Sequence, residues 1–225
     1  MISYYIPGFW GYAVPPGLMT VDHVYRRTRH VVGIDKVLDE IETELKTIKP
    51  DVVYGHSWGG FLALKLAERG FRGRLILLYP GLPSNYFFIS TYIFRFFLRG
   101  IVGGHKPSFD RWMKWARISD LTIAKNLHEI QQPEHSWHIL EFLFRRPQTF
   151  VDFAKIKNDV LICIAEHDEL CPPNLQRRLA NDLEKGVIKE VGHAHYSFFE
   201  NQDVANQIQE LAEKRHLDTE SKSSA

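Results

Sequence analysis

Five short apolar bursts, each bounded by Gly, Pro or Asp, limit what this chain can fold into: Ile2 to Ile6, Val52 to Tyr54, Arg74 to Tyr79, Val160 to Ala165 and Val187 to Val191. Runs of this length without strict alternation belong to parallel strands covered on both faces. The stretches between them carry helical spacing. Ile34, Val37, Leu38, Ile41, Leu45 and Ile48 form one stripe that Pro50 stops; Leu175, Leu179 and Leu183 mark a second, and Val204, Ile208 and Leu211 a third. Gly60 to Arg69 is apolar nearly all round and reads as a buried central helix with Gly70 as its cap. Strand and helix in alternation predict an α/β fold built on a doubly wound, mostly parallel sheet flanked by helices.

The alternation breaks once, between Ser84 and Phe153, where helical runs rich in Phe, Tyr and Trp follow one another. The expected organisation is therefore a core made of residues 1–83 and 154–216, an insertion over 84–153, and a disordered tail over 217–225, which is polar and without periodicity. With 28 Lys+Arg against 27 Asp+Glu the formal charge is +1, which offers no basic surface for a nucleic acid. The longest apolar stretch, Tyr86 to Leu98, is interrupted by Arg95 and falls short of the roughly 20 residues a transmembrane helix needs. The opening MISYYIPGFWG has neither a basic leader nor a signal-length apolar run, so a cytoplasmic location is expected. Cys163 and Cys171 are too few for a disulfide scaffold, and with nearby His167 they match no common zinc spacing. Neither a metal nor a cofactor is expected.

The chemistry concentrates in three places. Gly55-His56-Ser57-Trp58-Gly59 is a G-x-S-x-G between a strand and a helix, where small flanking residues permit the sharp turn that exposes a serine. The competing reading of such a turn is a phosphate-binding loop. A serine hydroxyl needs a base to take its proton, so a histidine and an acid are required downstream. Asp168 stands just past the burst Val160 to Ala165, and His193 follows Val191-Gly192 directly, with His195 two residues beyond as the alternative base. Catalytic groups of open α/β sheets collect at such strand ends. Glu166 is the alternative acid, and His56 reads as a packing residue.

GHSWGG, AEHDELCPP and VGHAHYSFFE resemble the elbow, acid loop and histidine loop of the α/β-hydrolase family, and IPGFWG resembles its oxyanion loop, with Pro7 where the family usually has a histidine. The order Ser, Asp, His is also the family's. The resemblance implies a reduced α/β-hydrolase fold of about six strands, the extra strand lying near Thr20 to Tyr25. It implies Ser57 as nucleophile, His193 as base and Asp168 as its orienting acid. The backbone N–H groups of Trp58 and Phe9 would stabilise the oxyanion, with Trp10 the alternative to Phe9. The insertion resembles the helical cap of many members, and its helix around Phe88 and Tyr92 is apolar all round. Such a helix is buried between cap and core, in lipid, or in a homodimer interface through the cap; the first is expected, over a pocket lined by Trp10, Phe88, Tyr92 and Trp112. The leading expectation is a serine hydrolase of small apolar esters or thioesters. The alternatives are C–C bond hydrolysis, lyase chemistry or aminopeptidase cleavage at the same residues, and a binding protein that keeps the fold.

Overall fold

The computed structural model describes residues 1–9, 19–26, 33–86, 106–131 and 137–223. Their strands are β1 (Ser3–Ile6), β2 (His23–Val24), β3 (Val52–His56), β4 (Arg74–Leu78), β5 (Val160–Ile164) and β6 (Gly186–Glu190). They form one sheet in the order β2-β1-β3-β4-β5-β6, with every neighbouring pair parallel. The strand expected near Thr20 to Tyr25 is present but short, pairing Tyr4 with His23 and Tyr5 with Val24. Asp22 explains its brevity: its carboxylate accepts from Ser3 N at 2.8 Å and Ser3 Oγ at 2.7 Å, taking over the edge where the ladder would have continued.

The helices are α1 (Ile34–Ile48), α2 (Trp58–Glu68), α3 (Phe109–Ala116), α4 (Leu121–Ile130), α5 (Trp137–Leu143), α6 (Pro173–Asp182), α7 (Ser197–Glu200) and α8 (Gln202–Ser223). Side chains of a strand alternate between its faces, and the two cores follow that period. Tyr4, Ile6, Val53, Leu75, Leu77 and Ile162 pack with α1, α2 and α6. Tyr5, Tyr54, Ile76, Leu78 and Cys163 pack with α3, α4 and α8. Ile34, Val37, Leu38 and Ile41 of α1 are fully buried. Burial of each contributes about 1.5–3 kcal/mol, well above the few tenths that helix propensity supplies, so the core and not local preference fixes this helix. At the other end of the chain α8 runs to Ser223, through the segment expected to be disordered from Leu217. Extending a helix already anchored by buried Ala205, Ile208 and Ala212 avoids the nucleation cost that a free tail would face.

The described residues between β4 and β5 are largely helical, and one of their helices is tied to α1 at a specific point. Helix α1 begins at Gly33 with no side-chain cap of its own. Glu141 of α5 supplies one from a distance: its Oε2 accepts from Ile34 N at 3.0 Å and its Oε1 from Gln148 Nε2 at 2.6 Å. Burial pushes the Glu141 carboxyl up, but bonds from His138, Gln148 and Ile34 outweigh it and hold the group below the usual carboxylate range. A carboxyl lowered on folding adds stability above its unfolded pKa and loses it as the pH falls through the lower folded value. Glu141→Ala should therefore destabilise the protein by about 1–2 kcal/mol near neutral pH in urea unfolding, as loss of a helix cap does. The gap from wild type should shrink below about pH 4, and a gap independent of pH would show that Glu141 acts through packing alone.

Candidate active site

Because every strand runs the same way, the segments following β1, β3, β5 and β6 meet at one edge of the sheet. Ser57 lies between β3 and α2 with φ 51° and ψ −120°, in the left-handed half of backbone space that a non-glycine residue enters at a cost. Its neighbours hold it there. Ser57 N donates to Leu78 O at 3.0 Å, and Gly81 N donates to Ser57 O at 2.7 Å. The turn also demands glycine, since a Cβ on Gly59 would stand 2.0 Å from Ile6 O. A Cβ on Gly8 would stand 2.9 Å from Ser57 Cβ, so the segment after β1 lies directly against the serine. Phe9 follows, its ring stacked on Trp58 with centroids 4.9 Å apart. Trp58 opens α2, so its N–H has no acceptor within the helix.

Asp168 is buried beyond β5, and its partners fill both oxygens. Oδ1 accepts from Leu170 N at 2.9 Å and Cys171 N at 2.8 Å; Oδ2 accepts from Gln176 Nε2 at 3.3 Å and pairs with His195 Nδ1 at 2.8 Å. The histidine held by the acid is thus His195, not His193. A carboxylate only accepts, so Nδ1 donates to it, and in a neutral imidazole the lone pair then lies on Nε2. That Nε2 is buried and has no hydrogen-bond partner among the described residues. His193, the expected base, points away: its side chain is 66% exposed and its Nδ1 lies 3.6 Å from Glu166. The loop's own bonds cause the difference. Gly192 has φ +86°, and Ser197 Oγ accepts from both His193 N (2.9 Å) and Ala194 N (2.8 Å), winding the chain so that the second histidine turns inward.

Three further residues were not assigned to the site from sequence. Tyr79, at φ 48°, donates from its hydroxyl to Val191 O at 2.8 Å and so fastens the end of β4 to the histidine loop. Gln176 joins Asp168 to Cys171 O. His56 packs, as its sequence position suggested, but it also buttresses: Nε2 donates to His195 O at 3.2 Å, while its ring meets Tyr196, Phe198 and Phe199 edge-on. Burial, and then His195, lower the His56 pKa well below the usual imidazole value and keep it neutral. Cys163 and Cys171 are free and buried, and burial pushes the Cys163 thiol up to about 12. Neither is set up as a thiolate nucleophile.

Of the expected pocket residues, Trp10, Phe88 and Tyr92 lie outside the described residues. Trp112 is fully buried and lines a cavity of about 30 Å³ together with Gly8, Phe9, His56, Leu127 and Tyr196. Helix α5 covers the elbow from another side: His138 and Phe142 lie against Trp58 with ring centroids at 5.4 and 5.6 Å.

Residues 6–207 match the model of the alpha/beta hydrolase family, and the chain belongs to that family. Solved structures agree on the fold. A protein described as a lipase from Acinetobacter baumannii is 14% identical, with 97% of this chain and 85% of that one covered and a TM-score of 0.72. A carboxylesterase of the thaumarchaeon Nitrososphaera gargenis is 11% identical over 96% and 92%, with a TM-score of 0.68. A meta-cleavage product hydrolase of Pseudomonas fluorescens is 14% identical over 95% and 90%, with a TM-score of 0.65. No curated protein matches the chain by sequence. No helix among the described residues is long and apolar enough to cross a membrane.

Proposed function

We propose that this hydrolase cleaves carboxylic esters or thioesters bearing an apolar acyl or alcohol part, with Ser57 as nucleophile, His195 as base and Asp168 as the acid that orients it. The observation that carries the reading is the buried Asp168–His195 pair, whose proton-bearing Nδ1 leaves a buried lone pair on Nε2 at the same sheet edge as the strained Ser57. In the proposed reaction the Ser57 hydroxyl attacks the carbonyl carbon while its proton passes to His195 Nε2. The carbonyl electron pair moves onto oxygen, where the N–H groups of Phe9 and Trp58 receive it. Collapse expels the alcohol or thiol, which leaves with the proton from His195. Water then enters by the same route and releases the acid and Ser57. The insertion over 84–153 serves as a cap, a role supported by the packing of α5 on Trp58 and of Trp112 on Tyr196.

A fluorophosphonate probe followed by peptide mapping tests the chemistry: one label on Ser57 is expected, and a protein that takes none is a binder. Hydrolysis of a panel of esters, thioesters and short peptides then identifies the bond cleaved. Within the esters, each methylene that enters an apolar pocket contributes about 0.8 kcal/mol, so two added carbons should raise kcat/KM about tenfold. The gain should end at the chain length that fills the apolar pocket, which a p-nitrophenyl ester series from acetate to palmitate locates. A response flat from acetate onward would remove the apolar pocket from the proposal.

A further inference from the structure

The geometry points to a divalent transition-metal site formed by Glu166, His167 and His193, on the outer side of the two loops that carry Asp168 and His195. The inference does not rest on the role of Ser57. It begins with the backbone. Val191 N donates to Ile164 O at 2.8 Å and His167 N to His193 O at 2.9 Å, so the β5–β6 pairing continues past the strands and holds the two loops in register. From this shared frame Asp168 and His195 turn into the protein, while Glu166, His167 and His193 face solvent.

The three outward side chains converge. Glu166 reaches both rings, with Oε1 3.6 Å from His167 Nε2 and Oε2 3.6 Å from His193 Nδ1. The imidazoles meet edge to face with centroids 4.4 Å apart, and one ligand atom from each residue lies within 4.8 Å of the others. At 3.6 Å neither contact is a hydrogen bond. Ligand atoms of a tetrahedral ion with bonds of about 2.0–2.1 Å lie roughly 3.4 Å apart, and the three exposed side chains, whose ligand atoms already lie within 4.8 Å of one another, reach that spacing through one oxygen of Glu166 by rotating toward each other. Two imidazoles and one carboxylate suit Zn²⁺, Ni²⁺ or Cu²⁺, whereas Mg²⁺ and Ca²⁺ require oxygen ligands throughout. The remaining position faces water. An ion held here would clamp the acid loop to the histidine loop, two residues from His195 and one from Asp168.

Calorimetric titration of the metal-stripped full chain with ZnCl₂, beside MgCl₂ and a Co²⁺ absorbance titration, tests the site. One saturable equivalent of Zn²⁺, a tetrahedral Co²⁺ spectrum and no response to Mg²⁺ are expected. Zn²⁺ should also raise Tm, because a ligand that binds only the folded chain stabilises it. His193→Ala, His167→Ala and Glu166→Gln should each weaken Zn²⁺ binding about tenfold or more, with Tm in chelator unchanged, whereas His23→Ala at another exposed site should not. Absence of a saturable equivalent would overturn the proposal. Zn²⁺ binding that survives both His193→Ala and His167→Ala would do so equally, since the ion would then sit elsewhere.

Discussion

Ser57→Ala is expected to lower kcat toward the best ester of the panel by about a factor of 10⁶ while the protein stays folded, because the members of such a triad act as a unit. The fold should survive because the residue's place rests on backbone bonds, from Ser57 N to Leu78 O and from Gly81 N to Ser57 O, which alanine retains. Alanine must also accept φ 51°, as serine does, so the strain is inherited and not added. Purified Ser57→Ala with more than a trace of turnover, measured beside its melting curve, would remove Ser57 from the mechanism.

The second large effect separates two histidines only two positions apart. His195→Ala should fall by a factor close to that of Ser57→Ala, and Asp168→Asn by roughly 10⁴, since an amide favours the tautomer that leaves Nε2 protonated. His193→Ala should retain turnover, because its exposed ring faces Glu166 and His167 and not Asp168. Both histidine variants preserve the Ser197 bonds to the loop's backbone, so a contrast in rate reflects the side chain that was removed. An inactive His193→Ala beside an active His195→Ala would reverse the assignment.

Amino-acid pattern alone is sufficient where local preference and long-range packing agree. Apolar bursts bounded by breakers are the strands of the sheet, and all five fell within a residue or two of their expected bounds, but the last of them, β6, is an edge strand whose residues are half-buried or exposed and not covered on both faces. GHSWGG could be read as a serine turn because part of its reason is local: a strand must bend into a helix without room for a Cβ at Gly55, which would stand 2.6 Å from Gly59 O. The place of Asp168, just past a buried strand, was legible for a similar reason. The choice between His193 and His195 was not. Both follow the same glycine, and what separates them is the winding of one loop, set by Gly192 at positive φ and by a hydroxyl four residues ahead, Ser197. Tyr79, Gln176 and Glu141 were invisible for a related reason: their partners, Val191, Asp168 and Ile34, come close only once the sheet has formed and the helices are laid on it. The pairing of His167 with His193 needs the two strands in parallel register, which spacing along the chain does not encode. Patterning selects the elements because burial acts on each locally; the direction in which a loop side chain points is decided by bonds that only tertiary structure brings into range.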